Sequence, residues 1–192
     1  KDDNGKVLLT ITAIDARQPA PDGAKKPKAE FLDSNNWLQS DNAKVIQAAK
    51  EAIGDASDPW EKSKRIEKWV HQNISEKNFS RALDSAAVVV ETRAGDCTEH
   101  GVLLAAMARA AGIPARVAIG LVYADRLGAF GYHMWSEVYI NGHWVPLDGT
   151  LGLGHASPGH IKIYDSSMAG VDATATLLPV AAVMNRLKIE VV

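Results

Sequence analysis

The 192-residue chain predicts a single α+β domain, a buried helix packed on an antiparallel β-sheet. Three observations carry this. Apolar residues recur at helical spacing up to Ala111 and at strand spacing from Ala115 onward. The stretch "HGVLLAAMARAA", His100 to Ala111, is apolar or small on nearly every face, as a central helix is. Asn141-Gly142, the favoured two-residue hairpin turn, lies between two strand-like runs.

Length and composition agree with one globular domain holding a sizeable core, at 46% hydrophobic and 23% charged residues. A formal charge of -2 leaves no basic surplus to neutralise phosphates, so no nucleic-acid partner is expected. The cluster "GAKKPK", Gly23 to Lys28, reads as a solvated linker. No apolar run approaches a membrane span. One cysteine cannot close an internal disulfide, so the redox compartment stays open. The chain begins at Lys1 and is read as a piece of a larger protein; localisation is left unknown, an extracytoplasmic setting being one expectation.

In chain order, "KVLLTITAI", Lys6 to Ile14, reads as a strand, followed by a Pro/Gly/Lys linker, Arg17 to Lys28. Residues 1–30 are therefore expected to form an N-terminal strand and linker, either the remnant of a preceding domain or a strand reaching back to pair. The domain proper is expected over 31–192. A first helix runs from an N-cap at Ser40 to a stop at Gly54. A second starts at Asp58-Pro59, with Glu61 as the acidic half of a capping-box-like start. Ile66, Trp69, Val70 and Ile74 make its apolar stripe. "LDSAAVVVETRAG" predicts a short helix capped near Asp84 or Ser85. The central helix follows, capped by Asp96 and ended by Gly112, Ile113 and Pro114. Strands are expected at Ala115 to Tyr123, in a hairpin over His133 to Gly149, and at "HIKIY"; Asp125 to Gly131 is read as a loop. A helix over Leu178 to Leu187 and a strand "KIEVV" close the chain.

The hairpin can be counted outward from its turn. Ile140 faces His143, Tyr139 faces Trp144 and Val138 faces Val145, so Trp135 faces Asp148 and His133 faces Thr150. His133, Trp135, Glu137, Tyr139 and Asp148 then share one face, with His133 and Asp148 diagonal neighbours about 7–8 Å apart at the backbone. Met134, Val138, Ile140, Val145 and Leu147 line the apolar face. A slip of one residue would part His133 from Asp148.

Cys97 stands at the first turn of the central helix. Unpaired N–H groups there favour a thiolate, lowering a cysteine pKa from about 8.5 to roughly 3.5–7.5, and can hold an oxyanion. A cysteine with histidine and aspartate supplied from elsewhere is a thiol-catalysis constellation. On these residues alone, packing and chemistry remain equally open for Cys97.

The blocks "GDCTEHGVLLAAMARAAGIPARVAIG" and "HMWSEVYINGHWVPLDGT" resemble the transglutaminase-like superfamily of papain-like thiol enzymes. The matching features are Gly95 to Cys97, Arg109 to Arg116, His133 to Trp135, and Trp144 to Asp148, with Asp148-Gly149 where many members have Asp-Pro. The resemblance covers Phe31 to Tyr164 and implies a papain-like, transglutaminase-like core. It implies Cys97 as nucleophile, His133 as general base and acid, and Asp148 as the residue orienting His133. It also implies a peptide or protein substrate and a thioester acyl-enzyme. Hydrolysis by a peptidase or amidase is the expected outcome, with transfer to an amine (crosslinking) as the alternative and a non-catalytic peptide-binding domain as a second one. For the oxyanion, the Cys97 backbone is joined by Gln72 and Asn78 as candidate side chains; Trp135, Tyr132 and Phe130 are candidates for a substrate groove, or core.

No cofactor is expected. Acidic residues are dispersed and no EF-hand-like run supports calcium. Cys97 and His100, with His143, His155 and His160 near in sequence, are weighed as a zinc set, but such sites need four close ligands, and no metal is expected.

Overall fold

The computed structural model describes residues 7–75, 83–125, 127–170, 175, 178–179, 181–183 and 186–191. Four helices form one layer: α1 (Ala43–Ile53), α2 (Pro59–Asn73), α3 (Ala86–Thr92) and α4 (Cys97–Ala110). A four-stranded antiparallel sheet forms the other, from β1 (Ala115–Ala124), β2 (Ala129–Ile140), β3 (His143–Leu147) and β4 (His160–Ser166). The strand order is β3-β2-β1-β4.

The α4 helix is the centre of the molecule. Val102 through Ala108 are all fully buried, between the sheet and the other three helices. Val45 and Ala48 of α1, Ile66 and Val70 of α2 and Val89 of α3 close one side of this core. Val117 and Ile119 of β1, with Met134 and Val138 of β2, close the other. The small residues on α4 let the sheet come close: Ser136 on β2 donates a 2.7 Å hydrogen bond to the Gly101 carbonyl.

Most element starts follow the local chemistry read from the sequence. Asp58 Oδ1 accepts from Glu61 N at 2.9 Å, with Pro59 at the first helical position. The Glu61 carboxylate does not complete a capping box and pairs with Lys64 and Arg65 instead. The cap of α1 is Asn42, not Ser40, because Asn42 Oδ1 reaches Lys44 N at 2.9 Å. α3 starts after Ser85, which makes no side-chain cap bond. The hairpin register is the counted one, Ile140↔His143, Tyr139↔Trp144 and Val138↔Val145, with Asn141 and Gly142 both at positive φ. The expected loop is shorter than read: β2 already begins at Ala129, since Ala129, Phe130 and Gly131 pair with Ala124, Tyr123 and Val122.

The N-terminal strand is not found. Residues 7–15 carry no regular structure, and Val7, Leu8 and Leu9 are exposed. β propensity alone does not make a strand without an edge to pair with. The linker after it is no free tether. Asn141 Nδ2 donates to the Ala16 carbonyl, His143 to that of Pro19 and the Tyr139 hydroxyl to that of Lys25, so residues 16–25 are laid against the β2–β3 hairpin. The expected C-terminal helix and strand fall partly outside the described residues. Residues 178, 179 and 181 are helical, and 187–191 form no strand.

Candidate active site

The start of α4 is built to hold Cys97. Asp96 Oδ1 caps Thr98 N at 2.8 Å, and Glu99 Oε2 reaches back to Asp96 N at 2.9 Å, a complete capping box. Glu99 is fully buried, and its other oxygen accepts from Asp84 N at 3.0 Å, tying the preceding segment to the helix. Burial raises the Glu99 pKa against the N–H groups of Asp84 and Asp96 and the Thr98 hydroxyl. Gly95 is required here: its φ is 151°, and a Cβ would stand 2.3 Å from Glu99 Cβ.

Cys97 is partly buried. Burial pushes its thiol up to about 12; the Met134 N–H bound to Sγ opposes this, and the charges of Asp96, Asp148 and Glu99 reinforce it. This direction is opposite to that expected of a thiol at a helix terminus: desolvation is the largest cause, and three nearby carboxylates add to it. The Met134 bond places the sulfur one residue from His133 along β2.

His133 and Asp148 meet as the hairpin count requires, with Nε2 and Oδ2 2.7 Å apart. Both are buried, at 6% and 1% exposure. Burial would raise the Asp148 pKa, but hydrogen bonds from His133 and His160 and their charges hold it well below the usual carboxylate range. Asp148 Oδ1 accepts from Thr150 N and Leu151 N, which also closes the turn after β3. With Asp148 ionised, His133 Nε2 is the donor of this bond.

Two buried groups around this pair, Glu67 and His160, were not singled out from the sequence as its partners, and a third buried group, Arg109, lies in the last turn of α4, at the far end from Cys97. Glu67 of α2 accepts from Asp148 N at 3.0 Å and holds the aspartate's backbone. An acidic residue inside the apolar stripe Ile66, Val70, Ile74 was the signal. His160, which opens β4, places Nε2 2.9 Å from the same Asp148 Oδ2; in the sequence it was weighed only as a metal ligand. Arg109, from the matched block, spans Ala115, Asp33 and Ser167 through their carbonyls.

The other candidates scatter. Gln72 is exposed on α2, and Asn78 lies outside the described residues. Trp135 is 2% exposed and packs on the rings of His133 and His160, so it is core beneath the site and lines no open groove. Tyr132 and Phe130 do line a cleft of about 580 Å³ between the β1–β2 hairpin and Val183, Leu187, Ile189 and Val191. Burial pushes the Tyr132 phenol above its ordinary pKa, and the nearby Cys97 and Asp96 charges add to this.

The zinc set weighed from the sequence is not assembled. His100 bonds the Asp96 carbonyl at 2.6 Å, His143 that of Pro19 and His155 that of Leu153. His133, Asp148 and His160 do bring three ligand-type atoms within 4.8 Å of one another. Their N···O separations are 2.7 and 2.9 Å. Ligands about 2.0–2.1 Å from a tetrahedral zinc stand roughly 3.3 Å apart. The spacing suits shared protons better than a shared metal ion.

A cysteine at a central helix terminus, packed on an antiparallel sheet that carries a His–Asp pair, is the layout of a thiol-enzyme fold. The chain belongs to the transglutaminase-like superfamily, whose family model matches residues 46–149, more than half of its length. A candidate cysteine protease of known structure from Cytophaga hutchinsonii is 29% identical, with a TM-score of 0.62, over 71% of this chain and 46% of that one. An uncharacterized protein of Haemophilus influenzae is 27% identical over 182 residues, 76% of this chain and 49% of the relative. The chain thus spans about half the length of the relatives it matches.

Proposed function

We propose that this domain is a thiol hydrolase that cleaves amide bonds in peptides or proteins, with Cys97 as nucleophile, His133 as general base and acid, and Asp148 as the group that orients His133. The observation that carries the reading is the Nε2–Asp148 hydrogen bond. It leaves His133 Nδ1 as the free base, next along the chain to the N–H that holds Cys97 Sγ. Membership of a thiol-enzyme family and the likeness to a candidate cysteine protease support hydrolysis.

The raised Cys97 pKa supports a thiol that rests protonated. The thiol proton passes to His133 Nδ1 as sulfur attacks the carbonyl carbon. The carbonyl oxygen takes the negative charge, facing the Cys97 N–H at the start of α4, where Asp96 already caps Thr98 and Glu99. His133 returns the proton to the amide nitrogen, the C–N bond breaks, and the amine leaves a thioester on Cys97. Water then gives a proton to His133, its oxygen attacks the thioester, and the acid departs as the thiol re-forms.

Alkylation of Cys97 by iodoacetamide tests the core of this. Wild type is expected to label at pH 7, and His133→Ala to label at least ~100-fold more slowly, the range of general-base assistance. Equal rates at pH 7, rising only in alkali for both proteins, would sink the activated thiol. Mass spectrometry with peptide mixtures should then find a Cys97 thioester resolving to free acid; release only onto added amines would reassign the domain to acyl transfer.

A further inference from the structure

We propose that His160 is a positioning residue of this site: it donates its Nε2–H to the same Asp148 oxygen that holds His133, and so fixes the carboxylate that aims the base. The inference rests on the reading of Cys97, His133 and Asp148 above. His160 lies outside residues 46–149, the span that the family model matches.

The argument begins with acceptors. A carboxylate offers about four lone-pair sites. Asp148 fills them with Thr150 N and Leu151 N on Oδ1, and with His133 Nε2 and His160 Nε2 on Oδ2. The backbone donors alone would leave Oδ2 held by His133 only, a partner that must itself move a proton during reaction. The fourth donor anchors Oδ2 independently of what His133 does.

Asp148 is held ionised, so His160 Nε2 must carry hydrogen. Its Nδ1 stands 3.4 Å from the Ser157 hydroxyl, which can donate to it, and 3.1 Å from the Ser157 carbonyl, which accepts only from a protonated Nδ1. The side chain is 3% exposed, and the Trp135 ring meets it edge-on at 5.1 Å and 80°.

The topology shows why the two rings can meet although β1 separates their strands. His133 pairs with Gly120 of β1, and His160 pairs with Val122 from the opposite side. Gly120 puts no side chain between them, and a Cβ there would stand 2.0 Å from the Ile161 carbonyl oxygen. The ring centroids come to 5.8 Å.

The test compares Cys97 alkylation at pH 7 in wild type, His160→Leu and His160→Gln. Leu fills the volume without a donor; the Gln amide restores an N–H near the Nε2 position. Leu is expected to slow labelling about tenfold, the scale of one lost hydrogen bond to a charged group, and Gln to recover it to within about threefold of wild type. A folded His160→Leu protein that labels within twofold of wild type overturns the proposal, as does Gln behaving like Leu. Should His160→Leu not fold, histidine-ring ¹H–¹⁵N spectra of wild type decide: hydrogen on His160 Nε2 is expected, and a ring protonated on Nδ1 alone overturns the role. His133→Ala separates the two claims. If it labels as fast as wild type, the thiol reading fails and takes this role with it; if it is slow while His160→Leu is not, the role of His160 alone fails.

Discussion

Glu67 stands in the apolar stripe of α2 with its carboxylate under the Asp148 backbone. Burial pushes its pKa from an ordinary 4.5 to about 7, the N–H groups of Asp148 and Gly154 opposing this and the Asp148 charge adding to it. Below pH 4.5 the group is protonated in both folded and unfolded chains. Between 4.5 and about 7 only the folded chain keeps the proton, so this residue makes stability fall as pH rises across that window, and the loss is complete above it. Asp148 acts the other way: its depressed pKa contributes stability above 3.8 that is lost as acid protonates the folded state. Glu67→Gln keeps an acceptor for Asp148 N and removes the titration. Urea unfolding from pH 5 to 8 should show the stability difference, wild type minus variant, dropping toward pH 7 and then levelling. Parallel curves would show that Glu67 does not titrate there.

At the scale of elements, the turn into α4 concentrates the constraint. Gly95, Asp96 and Glu99 form one unit, because the Glu99 side chain occupies the space that a Cβ on residue 95 would need. Gly95→Ala is expected to displace Glu99 from Asp96 N and Asp84 N and to cost about 2–4 kcal/mol, from backbone strain and lost buried hydrogen bonds. Chemical denaturation measures this; a loss under ~0.5 kcal/mol would mean that the turn relaxes freely. Much of this scale was legible in the sequence. Caps, the Asn141-Gly142 turn and strand alternation act within a few residues, and the hairpin register that brings His133 to Asp148 followed from them. The stretch "KVLLTITAI" has strand propensity, but its described residues 7–14 form no strand here, since strand formation needs a partner that propensity cannot supply.

Across the whole molecule, Arg109 joins what the chain separates. Its guanidinium is 4% exposed and donates to the Ala115 carbonyl twice, and once each to those of Asp33 and Ser167. The end of α4 is thereby bound to the start of β1, to the segment before α1 and to the chain after β4. Burial lowers its pKa to about 10, against the Asp33 and Glu30 charges, so it stays protonated at neutral pH. Arg109→Ala leaves three carbonyls short of a donor and should cost about 3 kcal/mol, a melting temperature lower by roughly 6–12 °C for a chain of this size. Arg109→Lys should recover little, since an ammonium cannot span the three directions of the planar fork. A melting temperature within ~1 °C of wild type for Arg109→Ala would remove this clamp from the account.

The sequence by itself determined the α+β class, the central helix with Cys97 at its first turn, and the meeting of His133 with Asp148. Each of these depends on periodicity, a cap or a turn, whose range is a few residues. Only the tertiary structure decided the rest. Glu67 and His160 lie 81 and 12 residues from Asp148 along the chain, and helix packing and strand order bring them to it. The push on the Cys97 thiol is also a tertiary matter, because burial and the carboxylates gathered around the sulfur raise it, and neither could be seen in the local sequence that made the helix terminus visible.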